Sequence, residues 1–166
     1  MSIRDDILQE LDSLAGQGGT GGWAAASTQR NGESVHVRID LSLIEQLGCQ
    51  LESVTVSAAS LASASTQDLK DWSQRLAQRL TYLLESIGPL EVDEEAGKLL
   101  MRSTQPQKLA DGCEYYELML SATGSDSVSL HRYRSTKGVP GRDSVDMTLT
   151  REVVGRLAGD LIDTMP

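Results

Sequence analysis

The sequence predicts an α+β fold in which a largely antiparallel sheet of about six strands packs against a long central helix and N- and C-terminal helices. Three observations support this prediction. Apolar residues recur every three or four positions in three segments of the chain, as on the buried face of a helix. Between these segments apolar and polar residues alternate, as in strands with one face in water. The later strands are joined by short connections, so we expect neighbouring strands to be antiparallel.

A first helix is expected over residues 3–15, and a glycine-rich segment follows it. Ser2 and Asp5 have the spacing of a variant capping box, and Gly16 is placed to end the helix. The next part of the chain carries repeated glycines, which free the backbone from the restraint that favours helix or strand. We therefore predict a flexible loop over about residues 16–32. The apolar residues that share one face of the helix are Ile3, Ile7, Leu8, Leu11 and Leu14.

Two strands and a long helix are expected next. Alternating residues predict strands at 35–41 and 53–57, and a Ser- and Ala-rich connector follows them. The strongest helical pattern in the chain predicts a helix from about Thr66 to Ser86, which Gly88 and the following proline should end. Its apolar stripe consists of Leu69, Trp72, Leu76, Leu80, Leu83 and Ile87.

The second half of the chain is predicted to be a series of strands followed by a helix. Turn-forming residues around Gly124 favour a hairpin between the last two long strands. Thr150 is placed to cap the final helix. The expected strands are Leu90–Asp93, Leu99–Arg102, Tyr115–Ser121, Val128–Arg134 and a short one through Val145 and Met147.

Composition restricts the class of protein. A chain of 166 residues is long enough to bury a hydrophobic core, and we expect a single globular domain. The formal net charge is −9, which repels phosphate backbones and makes nucleic acid an unfavourable partner. Aromatic residues make up only 4% of the chain, with no Phe, so few rings are present to stack on bases. Apolar runs never exceed four residues, whereas a membrane-spanning helix needs about 20.

The cysteines and the N-terminus predict a cytoplasmic protein. Cys49 and Cys113 belong to no C-x-x-C pair, which argues against a disulfide scaffold or a zinc site. Both cysteines are therefore interpreted as small buried apolar residues. Asp5 and Asp6 stand where an export signal would carry basic residues.

Several patterns that suggest chemistry have a simpler interpretation. Gly16, Gly18 and Gly21 match G-x-G-x-x-G, but they follow a helix, whereas a dinucleotide site needs a preceding strand. His36 and His131 are each expected on a strand surface. An acidic run has no known cation-binding spacing and is interpreted as an edge that resists pairing with another molecule; it contains Glu91, Asp93, Glu94 and Glu95. We therefore expect no catalytic residues, metal or cofactor.

One basic run stands out in this acidic chain, and it is the candidate site for an anion or a partner. It contains His131, Arg132, Tyr133, Arg134, Lys137 and Arg142. These side chains could receive a phosphate, an acidic peptide or the acidic face of a second copy of the chain. In the alternative interpretation, Arg132 and Arg134 lie on one strand face and pair with acids such as Glu117.

Two functional hypotheses follow. In the first, the protein is a noncatalytic protein-interaction or chaperone-like module that offers a sheet face or edge to another protein or to a second copy of itself. In the second, it is a small enzyme or anionic-ligand-binding protein with its site around the basic run, where Glu117 or Asp143 would be the acid–base partner.

The final helix also contains Gly155 and Gly159, and this spacing indicates close approach of another element.

Overall fold

The computed structural model describes residues 1–166 and has three α-helices and ten strands, all paired antiparallel. The predicted α+β class is therefore confirmed. The helices are α1 (Ile3–Gly16), α2 (Thr66–Arg79) and α3 (Arg151–Asp163), and a short 3-10 helix covers Ala59–Ser63. The strands are β1 (Trp23–Arg30), β2 (Glu33–Ile44), β3 (Gly48–Ala58), β4 (Ile87–Asp93), β5 (Lys98–Ser103), β6 (Gln107–Leu109), β7 (Gly112–Ser121), β8 (Val128–Thr136), β9 (Asp143–Val145) and β10 (Met147–Thr150).

Local hydrogen bonds define where the helices begin. In α1, the Ser2 hydroxyl accepts from the backbone N–H of Asp5, and the Asp5 carboxylate accepts from the backbone N–H of Ser2. The same capping box, formed by Ser65 and Asp68, begins α2. Thr150 caps α3 through the backbone N–H of Val153. These caps satisfy N–H groups that have no partner within the helix.

The strands form one sheet in the order β1-β2-β3-β8-β7-β5-β4. Strand β3 pairs with β8 only through Val54–Val56, and its first half pairs instead with β10. Strand β9 pairs with β8 over Arg132–Arg134, so β9 and β10 fill the gap where β3 and β8 diverge. The free edges of the main sheet are therefore β1 on one side and β4 on the other.

The helices pack against one face of the sheet and enclose a single apolar core. Helix α1 contacts β1 and β2, α3 contacts β3 and β10, and α2 contacts β4, β5 and β7. The fully buried Trp72 of α2 donates its indole N–H to Thr164 at the end of α3, over 3.0 Å. No helix is long and apolar enough to cross a membrane.

The two glycines of α3 have different surroundings. A Cβ at Gly155 would lie 3.1 Å from the side chain of Arg4 and 3.2 Å from that of Leu8. This glycine therefore allows α1 and α3 to approach closely, as the sequence indicated. A Cβ at Gly159 would have no neighbour within 4 Å, so Gly159 serves no close helix contact.

Two details of the predicted strands and helices are wrong. The sheet has ten strands rather than about six, because β1 and β6 are too rich in small residues or too short to show clear alternation, and the short strand expected through Val145 and Met147 is two strands, β9 and β10. The long central helix ends at Arg79 instead of Ser86. Leu80 and Leu83 are buried in an irregular turn, in which the exposed Leu84 has a φ of 66°, a backbone conformation that no α-helix contains.

The predicted loop at residues 16–32 is also shorter than expected. Residues 23–30 form strand β1, which pairs with β2 at every position from Trp23 opposite Asp40 to Arg30 opposite Glu33. Because alanine occurs on both faces of this strand, the sequence does not show the alternation of apolar and polar residues that is typical of a strand. Within this range, the glycine-rich part before Trp23 and the turn at Asn31 and Gly32 remain outside helix and strand.

Candidate functional site on the open face of the sheet

Strand β8 divides the basic run between the two faces of the sheet. Successive side chains of a strand point to opposite faces, and Arg132 therefore lies on the helix-covered face while His131 and Tyr133 lie on the other. Directly opposite residues of an antiparallel pair share a face. The register with β7 thus places Glu117 beside His131 and Tyr115 beside Tyr133. None of the three α-helices packs on this second face, which we call the open face.

Glu117 lies at the centre of the open face and receives two arginines. Arg102 of β5 donates from Nη2 to Glu117 Oε2 over 3.0 Å. Arg142, which precedes β9, donates from Nη2 to Glu117 Oε1 over 2.9 Å and from Nη1 to Oε2. Burial alone would raise the pKa of Glu117, but the hydrogen bonds from Arg142 and Arg102 outweigh it and lower the pKa. Glu117 is therefore an ionised anchor that fixes both guanidinium groups.

Each of the two arginines also stacks on a tyrosine. The guanidinium carbon of Arg142 lies 3.7 Å from the ring centroid of Tyr133, and that of Arg102 lies 4.7 Å from the ring centroid of Tyr115. The two tyrosine rings are neighbours, with centroids 6.2 Å apart. We call Arg102, Arg142, Tyr115, Tyr133 and Glu117 the open-face cluster.

The distribution of aromatic residues is unusual. The chain has six aromatic side chains, two Trp and four Tyr, and three of them, Trp23, Tyr115 and Tyr133, lie on the open face, where no helix packs. Trp23 also stacks with an arginine, because the guanidinium carbon of Arg38 lies 5.0 Å from the centroid of the Trp23 ring. The whole chain has five such arginine–ring pairs, whereas about two are expected for its length. Stacked arginines are therefore a general feature of this molecule.

His131 lies beside the open-face cluster. Its ring is stacked on Tyr133 with centroids 5.9 Å apart. Burial lowers the pKa of His131; the Glu117 carboxylate opposes this shift, and the Arg142 guanidinium adds to it. The pKa of His131 therefore lies below the ordinary value of 6.5, and the neutral imidazole is favoured in the folded protein.

Arg132 occupies a separate cluster on the helix-covered face. Its side chain is only 7% exposed and contacts two carboxylates, with Nη1 at 2.9 Å from Glu85 and Nε at 3.3 Å from Glu114. Nη2 donates to Gln107 over 3.0 Å, and the guanidinium carbon lies 4.4 Å from the ring centroid of Tyr116. These residues line a cavity of about 510 Å³. Burial raises the pKa of Tyr116, although the Arg132 charge partly opposes it.

The last two members of the basic run lie apart from both clusters. Arg134 donates to Asp111 over 3.0 Å, and Lys137 is exposed in the turn after β8. The structure therefore brings together His131, Tyr133 and Arg142, and separates them from Arg132, Arg134 and Lys137. Arg132 and Arg134 do pair with acids, but these are Glu85, Glu114 and Asp111.

Other candidate residues are placed as follows. His36 lies on the open face with Nδ1 2.6 Å from the Ser27 hydroxyl oxygen. Cys49 is buried, which raises the pKa of its thiol, whereas Cys113 is partly exposed. The acidic run lies at the β4 edge and the turn after it. No group of three or more His, Cys, Asp or Glu side chains is arranged to hold a metal ion.

The sequence did not identify Arg102 or Tyr115 as site residues. Each lies on a predicted strand, and strand alternation alone places each on one of two faces. The register between β5, β7 and β8 was needed to show that both share a face with Arg142. No sequence signal singles out these two residues, because strand alternation does not show which Tyr and Arg of different strands share a face.

Comparisons of the chain with protein-family models, curated proteins and solved structures gave no match.

Proposed function

We propose that this protein is a noncatalytic protein-interaction module, chaperone-like in offering a sheet surface to another chain, and that it binds its partner through the open-face cluster. The observation that carries the proposal is that two arginines and two tyrosines are held in fixed positions on a sheet face that no helix covers. None of these four side chains belongs to the main apolar cluster, which lies on the opposite face, although Tyr115 is buried beneath Arg102.

The chemistry of the open-face cluster is that of a protein-binding hot spot. Tyr and Arg are enriched at the centres of protein interfaces, where a few such residues carry most of the binding free energy. In this cluster the arginines are already ordered by Glu117 and by the rings beneath them. A partner would therefore lose less side-chain entropy on binding than it would against free arginines.

Charge favours an acidic partner segment. Two arginines share the single carboxylate of Glu117, so the cluster keeps a net positive charge within a chain of net charge −9. The side chains of Arg102 and Arg142 are 33% and 37% exposed. Arg102 donates to Glu117 through Nε and Nη2, which leaves Nη1 for a carboxylate of the partner.

The alternative function, an enzyme or anionic-ligand site around the basic run, has weaker support. The cavity beside Arg132 contains Glu85 and Glu114, whose charges oppose an anion. His131 lies on the other face of the sheet and provides no acid–base group to this cavity. We therefore favour the protein-interaction function.

The test is selection of random 12-residue peptides displayed on phage, followed by binding measurements on the selected peptides. We expect enrichment of Asp and Glu, and affinity that falls as salt rises. The variant Arg102→Ala/Arg142→Ala/Glu117→Gln should bind the selected peptides about 30-fold more weakly, as expected for loss of a hot spot. The third substitution prevents an unpaired carboxylate from remaining buried.

Arg156→Ala is the matched control, because Arg156 stacks on Tyr82 at 4.2 Å on the helix-covered side. This variant should bind the selected peptides as the wild type does. Selected peptides without acidic residues, or equal binding by the triple variant, would show that the open-face cluster is not the binding surface.

A further inference from the structure

We infer that the free edge of β1 is a second docking site, which takes up an extended, basic segment of a partner as an additional strand. This inference is independent of the open-face cluster, because β1 lies at the other side of the sheet from β5 and β7. The occupant is recognised by its backbone and by alternating basic and apolar side chains.

The geometry of β1 suits strand addition. The strand pairs with β2 through eight consecutive residues without a bulge. In such a pair, alternate residues direct their N–H and C=O groups away from the neighbouring strand. No backbone hydrogen bond outside the helices and strands involves residues 23–30. The outward groups of β1 are therefore free to pair with another strand.

The two edges of the sheet differ in their protection. Strand β4 contains Pro89, an irregularity in register between Pro89 and Glu91, and the acids Glu91 and Asp93, all of which discourage pairing with another chain. Strand β1 has the sequence Trp-Ala-Ala-Ala-Ser-Thr-Gln-Arg, with no proline and no acid. Only β1 is thus a regular, unprotected edge.

The side chains of β1 leave room for a partner. Ala24 and Ala26 point towards the helices, and Ala25 lies on the open face. Trp23 is 53% exposed at the start of the strand on the open face. Because directly opposite side chains share a face, apolar residues of an added strand that point to the open face would cover Trp23 and Ala25.

Acidic residues of α1 flank the helix-covered side of this edge. Arg4 and Leu8 mark the side of α1 that faces α3, since both contact the position of Gly155. Helical periodicity places Asp6 and Glu10 on the opposite side of α1, which is the side of the β1 edge because α1 packs on β1. Neither Asp6 nor Glu10 forms an ion pair.

The negative charge of Asp6 and Glu10 determines which kind of segment this edge can bind. Lys or Arg side chains of an added strand that point to the helix-covered side would extend along α1 and reach Asp6 and Glu10. A second copy of the chain, paired edge to edge through β1, would bring the acidic sides of two α1 helices together, between molecules that each carry a charge of −9. The fit is therefore to a basic partner segment and not to a second copy.

The test uses a synthetic peptide of alternating Lys and Val, about eight residues long to match β1, with a fluorescent label. We expect saturable binding to the full-length protein with a Kd below about 1 mM. NMR shift changes should centre on the amides of residues 23–30. A peptide of the same charge with two central Val replaced by Pro should not bind, because it lacks the required N–H groups.

Charge variants test the role of α1. Asp6→Asn/Glu10→Gln should weaken peptide binding about fivefold or more, which corresponds to the loss of two exposed ion pairs. Glu94→Gln/Glu95→Gln is the matched control, since it makes the same charge change in the turn after β4 and should leave binding unchanged. The triple variant of the open-face cluster should also bind normally, which separates this site from the proposed function.

Four results would overturn the inference. They are absence of binding at about 1 mM peptide, equal binding of the Pro-containing peptide, shift changes centred on β4, and a wild-type dimer that the peptide dissociates. The last result would show that a second copy of the chain occupies the β1 edge.

Discussion

Two clusters of the same residue types lie around strands β7 and β8, back to back on opposite faces of the sheet. On the helix-covered face, Arg132 contacts Glu85, Glu114 and Tyr116, and its side chain is 7% exposed. On the open face, Arg142 contacts Glu117 and Tyr133, and its side chain is 37% exposed. Each cluster pairs arginine with glutamate and stacks it on tyrosine.

The difference between the clusters is one of solvent access, and it separates a structural role from the proposed binding role. A buried arginine must keep its partners, since an unpaired buried charge is costly. An arginine on an open face keeps part of its hydrogen-bonding capacity for other molecules. We therefore expect changes in the Arg132 cluster to affect folding most, and changes in the open-face cluster to affect binding more than folding.

The largest expected effect tests the buried cluster. Arg132→Ala leaves Glu85 and Glu114 without their common partner, and breaking such a buried pair costs about 3–5 kcal/mol. The free energy of unfolding, measured by urea denaturation, should fall by this amount. Arg134→Ala on the same strand is the matched control. Its side chain is 39% exposed, and its partner Asp111 is 59% exposed, so the loss should be at most about 1 kcal/mol.

Equal losses for Arg132→Ala and Arg134→Ala would contradict the assignment of Arg132 to a buried structural cluster. A loss caused by the missing side-chain volume can be recognised with Arg132→Met. Methionine fills much of the space but cannot pair with the two glutamates, so this variant should remain clearly destabilised.

A smaller effect is expected from Glu117→Gln on the open face. Hydrogen bonds to charged groups contribute about 1.5–3 kcal/mol, and this variant keeps the shape of the side chain while removing its charge. The pKa of Glu117 is lowered in the folded protein, so the charged form stabilises the fold above pH 4.5, the ordinary pKa. That contribution is lost as the pH falls through the folded pKa. Urea denaturation at several pH values should show the wild type and Glu117→Gln converging in stability below pH 4.5.

A difference between wild type and Glu117→Gln that stays constant down to strongly acidic pH would show that the carboxylate charge does not contribute. Leu100, a partly buried neighbour on the same face, provides a control in Leu100→Met. This variant changes an apolar side chain and should show no difference from wild type that varies with pH.

The sequence predicted the elements that depend on interactions between residues close in the chain. It did not predict the features that depend on how the strands pair. Helix α1 and the Thr150 cap of α3 were predicted correctly, because a capping residue and an apolar stripe act within one or two turns. The end of α2 was not, since the apolar residues after Arg79 fit a helix and a buried turn equally well. The basic run was recognised as an anomaly, but its division between two faces required the pairing of β8 with β7.

The smallest effect concerns His131, whose pKa is lowered in the folded protein mainly by burial. The unfolded chain therefore binds a proton more readily, and stability should fall as the pH drops below 6.5, the ordinary pKa of histidine. This range lies above that of Glu117, so the two groups can be separated by pH. His131→Asn should flatten the slope of unfolding free energy against pH in this range.

An NMR titration of the His131 ring measures directly how the charges of Glu117 and Arg142 change the pKa of His131. Since the Glu117 carboxylate raises the pKa of His131 and the Arg142 guanidinium lowers it, the two neighbours should act in opposite directions. Glu117→Gln should lower the pKa of His131 further, and Arg142→Ala should raise it. Shifts of the same sign in both variants, or a wild-type pKa at or above 6.5, would contradict the charge arrangement on which the proposed binding role of this face depends.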